Sequence, residues 1–281
     1  MVPRKHTQIK ALITLLSHEK GAQAVLLKEE LARIMRHDSA TLKQVIEQDF
    51  HAAIPLALAE AMQEIYWDQL ATQIDQFNQK INPDLEEALF LSTYFANPAF
   101  TRFEITQQLD SLAHTLQPLL ANCTASEEIV RILNHFFFQT QCYAVLPVAH
   151  DIKELSFGHF LQKKRGAALC LCSLYTVCAE RFGLEAGIVD LAGRLLVRIQ
   201  MQDSPSPVFA DPLNRGKLFT TTDCKEYISA RNLEWNEAFI TPLCSRMILR
   251  RIFSHMIFIL NKLRDERRLS YLRRYMDILK D

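Results

Sequence analysis

Apolar residues recur at helical spacing from near the start of the chain: Ile9, Leu12, Ile13, Leu15 and Leu16, then Val25, Leu26, Leu31, Ile34 and Met35. Gly21 stands between the two sets, as a helix stop should. Asp38 or Ser39 can cap a third helix that carries Leu42, Val45 and Ile46 on one face. A longer fourth pattern runs from Ile54 through Leu70 and Ile74 to Phe77. Asn82-Pro83 closes it, and Pro83 is expected at the first position of the next helix, which carries Leu85, Leu89, Leu91 and Phe95. Residues 103–120 predict a sixth helix. Thr124-x-x-Glu127 reads as a capping box ahead of Ile129, Ile132, Leu133, Phe136 and Phe137.

The pattern then changes. Residues 141–153 read as an irregular connector, and 167–182 are apolar almost all round, so that helix must be buried on most sides. Gly187-Ile-Val-Asp190, Leu195-Leu-Val-Arg-Ile199 and Val208-Phe209-Ala210 are strand-like runs that predict a small antiparallel sheet. Helical spacing returns near 236 and lasts to the end, broken around 261–266. The expected fold class is mainly α (α+β). Residues 1–82 form an N-terminal helical region, 83–235 a core with a buried helix against a sheet, and 236–281 a helical tail.

Composition sharpens this picture. Only 7 of 281 residues are glycine, where average usage of about 7% would give roughly 20. Phosphate-cradling glycine loops are therefore not expected, and no cofactor is assigned. Charged residues are 23% and hydrophobic residues 49%, a globular balance. No apolar run reaches the roughly 18–20 residues of a membrane span, and no signal-peptide core follows Met1, so a cytoplasmic protein without membrane partners is expected. The seven cysteines (123, 142, 170, 172, 178, 224 and 244) mostly lie among apolar residues and form no C-x₂-C pair. Free buried thiols in a reducing compartment are expected, with no metal site.

Formal net charge is zero, yet its distribution is uneven. Residues 60–130 carry eleven acids against Lys80 and Arg102, while 246–280 carry ten bases against Asp265, Glu266 and Asp277. The two stretches either neutralise each other, lie as solvated faces, or leave the tail as a docking surface for an acidic partner. Nucleic acid is a minor alternative, because Ile248, Ile252, Met256 and Leu260 commit much of that tail to a core.

Arg165-Gly-Ala-Ala-Leu-Cys-Leu-Cys-Ser-Leu-Tyr175 followed by Ala179-Glu-Arg-Phe-Gly-Leu184 resembles the R-R-G-x-P-I-S-L-…-L-Y-…-A-R-R-L-G-L signature of the bacterial SirB-type transglutaminase-like family. Gly193-Arg-Leu-Leu-Val-Arg198 is similar to its G-H-F-L-L-R strand, and Phe209-Ala-Asp-Pro-Leu-Asn214 to its F-I-D-P-F-N. The resemblance covers roughly residues 83–281. It implies a transglutaminase-like core, in which a cysteine at a helix start works with a histidine and an acid from adjacent strands, and a tetratricopeptide-like tail.

This chain departs from that set. Counted back from Gly183, the transglutaminase-type nucleophile position falls at Ala168, where the SirB-type family usually has proline, and the family's strand histidine falls at Arg194, so a family already poor in catalytic residues has lost one more here. Alanine carries no nucleophile, and arginine stays protonated. Only the acid, Asp211, remains, and Arg194 is expected to pair with it on a neighbouring strand. Cys170 is the substitute thiol of the alternative reading, a residual hydrolase or acyltransferase. It lies two residues further along, rotated roughly 200° from position 168. The resulting expectation is a catalytically inactive transglutaminase-like protein that binds a protein partner whose identity the sequence does not give.

Overall fold

A computed structural model describes residues 2–50, 54–121, 123, 125–201, 204 and 206–280. The chain divides into two compact units, Met1–Thr72 and Gln73–Asp281.

The first unit holds α1 (Val2–Leu16), α2 (Ala22–His37), α3 (Ser39–Asp49) and most of α4 (Leu56–Gln79). Gly21 takes φ +68°, a left-handed conformation that costs glycine little, and so lets the chain reverse between α1 and α2. Ile9, Leu12 and Ile13 meet Leu31, Leu42, Val45, Leu58 and Ala61 in a core of their own. Ile9, Leu12, Ile13, Leu31, Leu42 and Val45 are buried as their helical spacing predicts, whereas Leu15, Val25, Leu26 and Ile54 of the same patterns lie exposed, so the sequence writes a wider stripe than the helices bury.

In the second unit α5 (Leu85–Ala96) is capped by Asp84, which accepts from the Glu86 amide. Pro83 therefore sits ahead of the cap and not at the first helical position. The Asp84 carboxylate satisfies a helix-end N–H that proline at that place could not have used. A full capping box, Thr101 with Glu104, opens α6 (Arg102–Leu120). The box expected at Thr124 begins outside the described residues. α7 (Ser126–His135) runs into a single π-helical turn, Phe136–Thr140, which buries Phe136, Phe137 and Phe138. Two short strands, β1 (Ala144–Val145) and β2 (Arg165–Gly166), pair in parallel across the predicted connector. Between them lie a 3₁₀ turn, Ile152–Leu155, and α8 (Phe157–Lys163).

Helix α9 (Ala168–Arg181) is buried at every position from Leu169 to Ala179, as its apolar circumference requires. β3 (Glu185–Leu191), β4 (Arg194–Gln200), β5 (Val208–Asp211) and β6 (Lys217–Phe219) follow as an antiparallel sheet in chain order. α10 (Thr221–Ser229) comes next, then a 3₁₀ turn at Glu237–Ile240, α11 (Ser245–Leu263) and α12 (Glu266–Ile278). Helix thus resumes before the expected position near 236. α10 buries only Cys224 and Ile228, too few apolar positions to write a period, although its capping box, Thr220 with Asp223, stands in the sequence. α11 and α12 close onto α5 through an aromatic cluster, with Phe95 edge-on to Phe253 at 6.3 Å and to Tyr275 at 5.8 Å.

Gly216 joins β5 to β6 at φ +76°, and any Cβ there would collide with the Asn134 side chain. Asn134 Nδ2 donates to the Gly216 carbonyl at 2.8 Å, tying α7 to the hairpin. Gly216→Ala should lower unfolding free energy by about 2 kcal/mol or more, from left-handed strain plus the collision. Urea denaturation reads this; an unchanged midpoint would contradict the tight fit between α7 and the hairpin.

Candidate functional site

Asp211 ends β5 with no exposed surface, and its carboxylate is fully used. Oδ1 accepts from the Leu213 amide at 3.0 Å, which opens the Pro212–Asn214 3₁₀ turn. Oδ2 accepts from Asn214 Nδ2 at 2.8 Å and from the Arg194 guanidinium in an ion pair. Arg194 opens β4, beside the paired strand β5. The guanidinium is flanked by two rings, with its carbon 5.1 Å from the centroid of Phe219 and 5.1 Å from that of Tyr227. Stacking and a charge-assisted hydrogen bond both suit the planar, weakly hydrated guanidinium, and neither would suit an ammonium as well.

Strand register explains the meeting. Leu191 opposes Arg194, Val197 opposes Ala210 and Asp211 opposes Lys217. Alternation along a strand then puts Arg194, Leu196, Phe209, Asp211 and Phe219 on one face. Leu196 and Phe209 pack there with Cys224, Ile228 and Tyr227 of α10. Behind Arg194, the Asp190 carboxylate accepts from the Gly193 amide at 2.6 Å and pairs with Arg251 of α11. The turn that presents Arg194 is therefore held from the tail.

The start of α9 differs from an armed nucleophile site. Ala167 is the N-cap without a side-chain bond, and Ala168 is half-buried. Cys172, which shares the Ala168 face one turn later, is fully buried; burial and then the Asp211 charge push its thiol up. Cys170 lies on another side of the helix, its Sγ donating to the Leu155 carbonyl at 3.5 Å. Burial pushes its thiol up to about 12, against the small downward pull of nearby backbone amides. A nucleophilic cysteine needs the opposite, a depressed value and access. His159 lies on α8, its value lowered by burial and then by Lys163 and Lys153.

Sequence reading named Arg194 and Asp211 but missed their companions. Asn214 stood inside the quoted Asp-Pro-Leu-Asn run, so its role was open to local reasoning. Phe219 and Tyr227 arrive through β6 and α10, two elements the pattern did not announce. The Asp190–Arg251 pair joins residues 61 positions apart, beyond any local signal. Among the described residues no three His, Cys, Asp or Glu side chains gather to hold a metal, and no helix is long and apolar enough to cross a membrane.

Residues 103–254 match the model of the transglutaminase-like superfamily. No curated protein and no solved structure gives a match.

The buried thiols carry a pH dependence. Unfolded thiols ionise at about 8.5; in the fold, burial pushes Cys170 and Cys178 up to about 12. Their neutral forms therefore stabilise the fold fully below the unfolded value, and that stability is lost as pH rises from there through the folded value. Urea midpoints should fall between about pH 8 and 10, and fall less steeply in a Cys170→Ala/Cys178→Ala variant. Equal slopes in the two proteins would contradict buried neutral thiols.

Proposed function

The chain belongs to the transglutaminase-like superfamily, and from that premise we propose that it is a SirB-type member that has lost catalysis and serves as a protein-binding module in the bacterial cytoplasm. The observation that carries this reading is the side chain at position 194. A transglutaminase-like mechanism asks for a base beside the acid of the next strand. Here that place holds a guanidinium already engaged by Asp211, Phe219 and Tyr227. It has no lone pair to accept a proton, and the Asp211 oxygens are committed to Leu213, Asn214 and Arg194. At the aligned nucleophile position Ala168 offers only a methyl group. What the fold keeps is a packed scaffold, and helical surfaces around such a scaffold commonly serve as binding faces.

The competing reading, a hydrolase or acyltransferase using Cys170, has to overcome a thiol that is buried and pushed up to about 12. Thiol alkylation of the native chain at mildly acidic pH separates the two. Ordinary thiols ionising near about 8.5 are then nearly silent, whereas an activated cysteine reacts. Cys170, Cys172 and Cys178 should all remain unlabelled by peptide mass analysis. Rapid labelling that Cys170→Ser abolishes would overturn the inactive reading and install the enzyme in its place.

A further inference from the structure

Residues 220–241, which hold α10 and the 3₁₀ turn behind it, cover the sheet face that carries Arg194. Their polar bonds all close among themselves. Thr220 and Asp223 cap each other, and the Arg231 guanidinium donates to the Tyr227 carbonyl. Trp235 Nε1 donates to the Glu237 carboxylate, and Thr241 Oγ1 to the Glu237 carbonyl. The Leu233 amide returns to the Ile228 carbonyl, and the Phe239 amide to the Asn236 carbonyl. Among the described residues no hydrogen bond or ion pair joins 220–241 to the rest of the chain. The hold is made by apolar contact and one ring. Cys224 and Ile228, with the half-buried Tyr227, Trp235, Phe239 and Ile240, pack on Val189, Leu191, Leu196 and Phe209. The Tyr227 ring lies 5.1 Å from the Arg194 guanidinium.

The neighbouring elements are fastened differently. Ahead of the segment, Asn134 of α7 donates to the Gly216 carbonyl at 2.8 Å. Behind it, the Leu243 amide reaches the Ile188 carbonyl at 2.7 Å. On α11, Arg246 donates to the Asn78 carbonyl and Arg251 pairs with Asp190. The segment is therefore pinned at both ends by directional bonds and held between them without any.

Apolar contact is non-directional. Parting this segment from the sheet keeps every hydrogen bond of its own and breaks none to the sheet. Contiguous units of this kind open ahead of global unfolding. We infer that residues 220–241 form a strap that opens as one unit while the rest of the fold stays closed, uncovering the Arg194 guanidinium and the apolar sheet surface beneath it. For its use the inference rests on the binding-module reading above: a strap over such a face keeps it shut until it lifts.

Two buried thiols report the motion in the full chain. Cys224 lies under the strap, and Cys172 lies on α9. Alkylation at about pH 8, where a thiol freed by opening reacts, is followed site by site by peptide mass across sub-denaturing urea. Cys224 should react at least about tenfold faster than Cys172, and its rate should depend less on urea, because strap opening exposes less surface than global unfolding. Tyr227→Ala loosens the hold on Arg194 and should raise the Cys224 rate about tenfold. Phe253→Leu weakens the aromatic cluster with Phe95 and Tyr275, whose contacts survive when the strap lifts. It should raise the Cys172 rate and leave that of Cys224 unchanged. Equal wild-type rates with equal urea dependence, a Cys224 rate indifferent to Tyr227→Ala, or two rates that rise together in Phe253→Leu would each overturn the strap. Labelling of Cys170 at mildly acidic pH decides the inactive reading separately, so either can fail while the other stands.

Discussion

A carboxylate with no solvent contact must be compensated, and Asp211 is the point from which the sheet unit is organised. An unpaired buried charge costs several kcal/mol, so the fold supplies an amide from Leu213, a side-chain donor from Asn214 and a cation from Arg194. Each supplier needs its own support. Arg194 depends on the Gly193 turn, which Asp190 fastens and Arg251 braces from α11. The loop after Asp211 closes when the Gly216 amide reaches the Asp211 carbonyl at 2.8 Å. Asn134 of α7 then clamps Gly216 in turn. One buried acid thereby ties together α7, α10, α11 and all four strands of the sheet, β6 and α10 through the Phe219 and Tyr227 rings on Arg194.

Helix α9 bears a complementary constraint. Its start is where a transglutaminase-like enzyme would expose a thiolate, and a polar, partly open environment would be needed there. This chain instead places a small alanine at Ala168 and fills the following turns with neutral, buried thiols. Cys172 lies near enough to Asp211 to feel its charge, so a thiolate at that point would be opposed by both burial and like charge. The same packing that buries these thiols keeps them neutral.

Much of the helical framework was legible because most helices bury an apolar stripe, Ile9, Leu12 and Ile13 on α1 and Ile248, Ile252 and Met256 on α11, while α9 buries an apolar circumference. β3, β4 and β5 were legible as β-type runs because they are largely buried on both faces, whereas the exposed β6 was not. Elements with few buried positions escaped, as α10 did with only Cys224 and Ile228. Pro83 misled because the local signal for a first-turn proline competed with Asp84, a stronger cap one residue later. At the site, Arg194 and Asp211 were readable as aligned positions with opposite charge. Their rings and the Asp190–Arg251 brace were not, since they depend on tertiary neighbours that no local window contains.

If Arg194 stands where a base would act and has become the structural partner of Asp211, the two side chains must be energetically coupled. A double-mutant cycle with Arg194→Met and Asp211→Asn, read by urea unfolding, measures that coupling directly. Arg194→Met alone should cost about 3 kcal/mol because it strands a buried carboxylate, and much less once position 211 is uncharged, giving a coupling of about 2 kcal/mol. Additive costs, agreeing within about 0.5 kcal/mol, would contradict a structural ion pair at the heart of this fold.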